Sequence, residues 1–314
     1  MIAVEHVSKT YGNKCVLEDV CFTVPKGAIL GFLGPNGAGK TTTMRIITGY
    51  IAATSGTVVV DGEEVHANPM AVKAKIGYLP ETPPLYPDMT VREYLGFVSR
   101  IKNVPAGERS QRIEGVLKAC QIEDRADTVI RKLSKGYRQR VGIAQAIIHD
   151  PPVVILDEPT VGLDPRQIAE VRSLIKSFAE RKTVILSTHI LPEVSITCDS
   201  VAIIHKGKIV AVGTSDELLA QVQSQLYCVE VDSNPSALIP HLQQIPGIQK
   251  LEFKPVSASP SRFLIEVAVA REELARDIVS FLVHRGIGIY EMRKVKASLE
   301  DIFLQLTTEE HNSN

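Results

Sequence analysis

From Ala28 to Leu33 the chain is almost continuously apolar, and the next eight residues read Gly34-Pro35-Asn36-Gly37-Ala38-Gly39-Lys40-Thr41 before a helical pattern begins. So short an apolar run fits a strand buried on both faces of a parallel sheet. The octapeptide matches G-x-x-x-x-G-K-[ST] in full, and it has the preceding strand and following helix that give the pattern its mechanism. Its glycines let backbone N–H groups converge on phosphate oxygens, and the helix N-terminus adds the positive end of its dipole. Lys40 is placed to reach the β- and γ-phosphates of a nucleotide, and the Thr41 hydroxyl to ligate Mg2+. An ordinary glycine-rich turn requires neither side chain. The core is therefore expected to be α/β with a parallel sheet.

Two further runs, Val153 to Leu156 and Thr183 to Leu186, read as buried strands of the same sheet. The first ends in Asp157-Glu158. An aspartate at such a strand end suits the Mg2+ water shell, and the adjacent Glu158 could accept a proton from attacking water. Residues 2–7 and 15–24 read as strands, the latter presenting Val16, Val20, Phe22 and Val24. Strands at 57–61, 201–204 and 208–212 are expected to be antiparallel, the last two joined by a Lys206-Gly207 turn. Between about 82 and 150 the texture becomes helical. Thr90 to Glu93 is a capping-box pattern followed by Val91, Leu95, Val98 and Ile101 on one face, and Ile113, Val116, Leu117 and Cys120 repeat that spacing.

After a helix opened by Thr214-Ser215-Asp216-Glu217 comes a second unit. Its order is strand (226–232), helix (236–244), strand (248–253), strand (262–268), helix (271–284) and strand (287–295), the split β-α-β-β-α-β pattern of ferredoxin-like folds. A last helix is expected from Ser298, with Asp301 three residues on, before a polar tail after Leu306. The expected division is thus 1–220, with a helical insertion at about 82–150, and a small α+β unit at 221–314; 314 residues suffice for two cores.

Charge narrows the function. Thirty-five basic and 36 acidic side chains leave −1, without the strongly basic footprint of a nucleic-acid binder. Five scattered cysteines without a C-x-x-C pair read as reduced thiols, mostly small core residues. The first residues lack a signal-peptide pattern, and no apolar run approaches the roughly 20 residues needed to cross a bilayer. For work at a membrane, another chain must span it. His205, His241 and His284 lack metal-ligand spacing and read as solvated or packed.

Leu133-Ser134-Lys135-Gly136-Tyr137-Arg138-Gln139-Arg140 resembles the signature motif of ATP-binding cassette ATPases, commonly Leu-Ser-Gly-Gly-Gln, with the third and fifth positions changed. The Ser134 hydroxyl and Gly136 backbone N–H, at a helix start, suit a phosphate. The resemblance covers roughly residues 1–218 in motif order. It implies a P-loop NTPase core with an antiparallel β subdomain and a helical insertion. ATP is held with Mg2+ by residues 34–42, including Thr42, and Lys40, Glu158 and His189 act in catalysis. Thr41, Asp157 and Glu81 are implied around the metal. Tyr11 falls where an aromatic ring stacks on adenine, although a lone tyrosine near a strand end is commonly packing. Thr160 to Asp164 resembles the D-loop that crosses the dimer interface, and His189 holds the switch-histidine position.

One residue departs from the pattern. After Ile76-Gly77-Tyr78-Leu79-Pro80 the family usually places glutamine, and here stands Glu81, which keeps an oxygen ligand but adds a charge. With the closing Ser298 to Phe303 stretch, this variant is similar to subunits serving drug-export, gliding-motility and copper-enzyme-maturation permeases. The resemblance implies a head-to-tail homodimer, or a pair with a pseudo-symmetric partner, that sandwiches ATP. Such a pair would drive a separate permease from the cytoplasmic face of the cell membrane and bind no nucleic acid. A groove beside Glu81 and the 82–104 helices would receive the permease's cytoplasmic helix. The alternative is a soluble cassette ATPase of translation or DNA maintenance. A single cassette without sustained heptads disfavours it.

Overall fold

The computed structural model describes residues 1–179, 181–221, 225–233, 235–242, 245–255, 262–269, 273–295, 299–300 and 302–303. Ser298 and Asp301 of the expected last helix, and the polar tail, lie outside them. The chain divides into two compact units, Met1–Ser215 and Asp216–Asn314.

The first unit contains β1 (Ile2–Tyr11), β2 (Lys14–Val24), β3 (Ile29–Leu33), α1 (Lys40–Ile47), β4 (Ser55–Val60), β5 (Glu63–Glu64), α2 (Pro69–Lys75) and β6 (Ile76–Leu79). There follow α3 (Val91–Ile101), α4 (Arg109–Ala119), α5 (Lys135–Ile147), β7 (Val153–Asp157), α6 (Pro165–Lys176), β8 (Thr183–Thr188), α7 (Leu191–Thr197), β9 (Ser200–His205) and β10 (Lys208–Gly213). A six-stranded sheet has the order β10-β9-β3-β8-β7-β6, and every residue of β3, β7 and β8 is buried. That is why these strands read as unbroken apolar runs rather than alternations. A four-stranded antiparallel sheet, β2-β1-β4-β5, stands beside it, joined where the Glu18 amide donates to Gly207 O at 2.9 Å.

Several expectations need correction. β9 is antiparallel only toward β10; toward β3 it is parallel, so one strand closes the parallel core and starts the edge hairpin. In β2, Leu17 is fully buried and Val16 only partly. Register shifts in the β1–β2 pairing, with His6 and Asp19 left-handed (φ 50° and 53°), change the phase of the strand. The α3 face is Val91, Tyr94, Leu95 and Val98, while Ile101, at the helix end, is 60% exposed. Thr90 and Glu93 do form the capping box, each side chain bonding the other's backbone N–H at 3.2 and 2.8 Å. Of the cysteines, Cys120 and Cys228 are buried, but Cys15 and Cys21 are exposed on β2.

Helix α8 (Ser215–Gln221) leads to β11 (Gln225–Val231), α9 (Pro235–Leu242), β12 (Ile248–Pro255), β13 (Phe263–Val269), α10 (Glu273–His284) and β14 (Ile289–Val295). The antiparallel order β12-β13-β11-β14 is that of a split β-α-β sheet, and Val229, Val231, Ile265, Val267, Ile278 and Leu282 form its core. Among the described residues no helix is long and apolar enough to cross a membrane.

Candidate functional site

The C-terminal ends of β3, β7 and β8 lie side by side and deliver the site's residues. Leaving β3, the chain turns through residues 34–39 and enters α1 with Gly39 at its N-cap in the left-handed region, φ 111°. A side chain there would be strained and would also strike Leu17 Cδ2, so only glycine fits. No side chain caps α1 and no acid lies in its first turn, which leaves its first N–H groups to an outside anion.

Lys40, 6% exposed, folds its ammonium back over this turn, donating to Gly34 O at 2.7 Å and Pro35 O at 3.3 Å. It also pairs with Glu158 Oε1 at 3.3 Å, and both side chains are buried. Glu158 stands one residue past β7 with a left-handed backbone (φ 50°), pinned by its N–H to Ser187 O at 2.9 Å. Its second oxygen meets His189 Nδ1 at 2.9 Å. One carboxylate thus bridges the lysine of the phosphate loop and the histidine after β8.

Asp157, fully buried at the end of β7, accepts from the Ser187 hydroxyl at 2.8 Å through Oδ1, while its buried Oδ2 has no protein partner. Burial pushes its carboxyl above the usual range, the Ser187 and Thr41 hydroxyls oppose that shift, and the charges of Glu158 and Glu81 add to it. A buried carboxylate with a spare oxygen beside a threonine hydroxyl and further carboxylates is a hard-oxygen donor set. It fits Mg2+.

A cavity of about 620 Å³ has Asn36, Gly37, Gly39, Lys40, Thr41 and Thr42 on one wall, and Asp157 lies outside its lining. Glu81, Glu158 and His189 line the rest, with Val16 and Val161 as apolar patches. Gly34, Pro35 and Ala38 shape the turn without lining the cavity. Tyr11 is not brought there: it is half exposed, with the Lys9 ammonium 4.9 Å from its ring centre, and Val16 of the next strand occupies the wall. Nor do Ser134 and Gly136 line it. Ser134 caps α5, accepting from the Tyr137 N–H, beside a separate cavity of about 430 Å³ that shares Glu81 and Val161 with the first. A cavity of about 820 Å³ lies elsewhere, around the Asp150 pairs with Arg112 and Lys182, and contains none of this chemistry.

Two supports carry no motif of their own. Ser187 holds Asp157. Buried Glu193, on α7, accepts from the Thr188 hydroxyl at 2.9 Å and from Thr160, fastening the turn after Glu158 to the segment bearing His189. Ser187 and Thr188 directly follow the apolar run Thr183 to Leu186, but the partners of Glu193 are 33 and 5 residues away and left no periodic signal.

The chain is similar to known proteins over nearly its whole length. The model of the ABC transporter family matches residues 17–161, and that of the C-terminal domain of DrrA1-3-like ATP-binding proteins matches residues 213–307. The chain is 30% identical over 310 residues to the linearmycin resistance ATP-binding protein LnrL of Bacillus subtilis, covering 98% of each. It is 31% identical over 315 residues to the Nod factor export ATP-binding protein I of Ralstonia nicotianae, covering 99% of this chain and 94% of that one. A solved ATP-binding cassette, described as a dimeric post-hydrolysis state bound to ADP and Pi, aligns with TM-score 0.63 at 27% identity. That alignment covers 68% of this chain and 98% of the solved one.

Proposed function

This chain belongs to the ATP-binding cassette family of transporter subunits, and from that premise we propose that it powers an exporter, its residues 34–42, 81, 157–158 and 189 forming one half of an ATP site. It is an ATPase of that family. The two relatives described above match both units and are named for resistance and export, which supports the export reading and disfavours a soluble role in translation or DNA maintenance.

The observation that carries the site assignment is the Glu158 bridge between Lys40 and His189. As γ-phosphate enters, Lys40 exchanges Glu158 and its loop carbonyls for phosphate oxygens. The carboxylate is then free to take a proton from water, while His189 orients that water and the γ-phosphate. Water oxygen bonds to phosphorus, the bond to the bridging oxygen breaks, and ADP keeps that electron pair. Thr41 and Asp157, with Glu81 nearby, would hold Mg2+, which would neutralise phosphate charge when bound. The other half of the site is Ser134 and Gly136 of a second subunit, and in that dimer closure is the ATP-dependent motion. The 1–220 segment is the nucleotide-binding domain and 221–314 an accessory unit. The partner in the membrane is a polytopic permease, which seats the protein on the inner face.

The composite site makes turnover second order in protein. Specific ATPase activity should rise with protein concentration until dimers saturate; activity per subunit that stays constant on dilution into the monomeric range would refute the shared site.

Glu81 lines the cavity and its charge acts on Asp157. Glu81→Gln keeps a ligand oxygen and should retain most of the activity. Glu81→Ala should lower turnover about tenfold or more, the scale of losing a metal-shell contact. Equal, wild-type rates for both variants would remove Glu81 from the site.

A further inference from the structure

The first turn of α5 is electrostatically inverted. Lys135 is its first residue and Arg138 lies one turn on, with no acid in that turn, although a helix N-terminus favours negative charge. Arg131 has a partner in Asp88 at 2.9 Å, but Lys135 and Arg138 form no ion pair among the described residues. All three line the cavity of about 430 Å³ whose one acidic lining residue is Glu81. Two exposed cations at the positive end of a helix are favoured by an anion brought close to them.

The position of the Lys135 ammonium narrows the choice. It lies beside Gly162 (φ 72°), over the place that a Cβ there would take. Gly162 belongs to the turn that follows Glu158, and Val161, just before it, lines both cavities. Lys135 therefore sits where the helix start bearing Ser134 and Gly136 meets the D-loop-like segment. In the reading above the first of these stretches faces the partner subunit's ATP, and the second resembles the loop that crosses the dimer interface.

We propose that Lys135 is an additional catalytic residue acting across the dimer, its ammonium pairing with the γ-phosphate of the ATP held by the partner's P-loop. This rests on the shared-site reading. Within one subunit Lys40 neutralises the phosphates from the P-loop side. Lys135 approaches from the opposite side, where the γ-phosphoryl oxygens carry charge as the bond to ADP lengthens. A point charge on a flexible stem suits this task, and it adds a cation to hydrogen bonds from Ser134 and Gly136.

Lys135→Ala should lower kcat about 10- to 100-fold, short of the effect of a full arginine finger because Ser134 and Gly136 remain. Lys135→Arg should restore most of the loss, and thermal stability should not change, since the side chain is exposed. The decisive test mixes full-length Lys40→Ala and Lys135→Ala chains and measures ATPase activity. If Lys135 acts across the dimer, a mixed dimer joins the intact P-loop of one chain to the intact Lys135 of the other. Half of the dimers then carry one complete site of two, so activity returns to about a quarter of wild type. If Lys135 serves its own subunit's site, each chain of the mixed dimer stays broken and nothing returns. That result, or unchanged kcat in Lys135→Ala, overturns the proposal. The shared-site reading has its own control: Glu158→Gln should form an ATP-dependent dimer whatever Lys135 does. Loss of that dimer condemns the reading, whereas its presence without recovery in the mixture condemns Lys135 alone.

Discussion

Glu158→Gln should slow ATP turnover by about 10²- to 10⁴-fold, the range for losing a positioned general base, while Mg-ATP still binds. The amide cannot take a proton from water, yet it keeps the shape of the carboxylate between Lys40 and His189. Binding survives because Lys40, held over the turn by Gly34 O and Pro35 O until nucleotide enters, meets phosphate without first releasing a buried carboxylate. In the nucleotide-free protein the same change leaves a buried ammonium without its counter-charge, which is destabilising. Mg-ATP should therefore raise the melting temperature of the variant by more than it raises that of the wild type. Steady-state phosphate release and thermal scans with and without nucleotide measure both effects. Near-normal turnover would remove Glu158 from the role of base.

The second large effect is structural. Gly77, in β6, has no room for a side chain: an added Cβ would overlap the Ala146 carbonyl oxygen and lie 2.9 Å from its carbon and from Pro151 Cγ. The obstacle is the backbone of α5, which cannot rotate aside as a side chain can. Gly77→Val must therefore push β6 from α5, or tear it from Val154 of β7, with which it is in register. Overpacking of this kind costs about 1–3 kcal/mol, and more where backbone must move. In a unit of this size each kcal/mol lowers the melting temperature by about 2–4 °C, so calorimetry should record a fall of about 2–12 °C. Activity should fall as well, because β6 leads to Glu81 and α5 begins with Ser134 and Gly136. An unchanged melting temperature would mean that β6 and α5 are not packed as described.

The contrast between these two residues shows what the sequence made legible. Glu158 was readable because local order carries its chemistry: an apolar run, two acids, and a phosphate loop upstream. The split β-α-β order of the second unit was readable for the same reason, since its strands and helices alternate in simple periods. Gly77 gave no sign of its constraint, because the atom that forbids a side chain belongs to Ala146, far along the chain. The same holds for Glu193 and Ser187, whose partners come together only once β7 and β8 pair. Periodicity also misled where local geometry broke its phase. The left-handed residues of the β1–β2 pair buried Leu17 in place of Val16 as the core residue, and the end of α3 exposed Ile101. Tyr11 was inferred from its place in a motif order. Its ring lies against Lys9 instead of the cavity.

In the proposed dimer neither subunit holds a complete ATP site. Native mass spectrometry of full-length Glu158→Gln with Mg-ATP tests it directly, because the variant stops before hydrolysis and reports mass and nucleotide count together. The expected species is a dimer carrying two ATP molecules, absent with ADP and absent when Ser134 is replaced by a residue too large to approach phosphate. A monomer saturated with one ATP at every protein concentration, with no dimer, would contradict it.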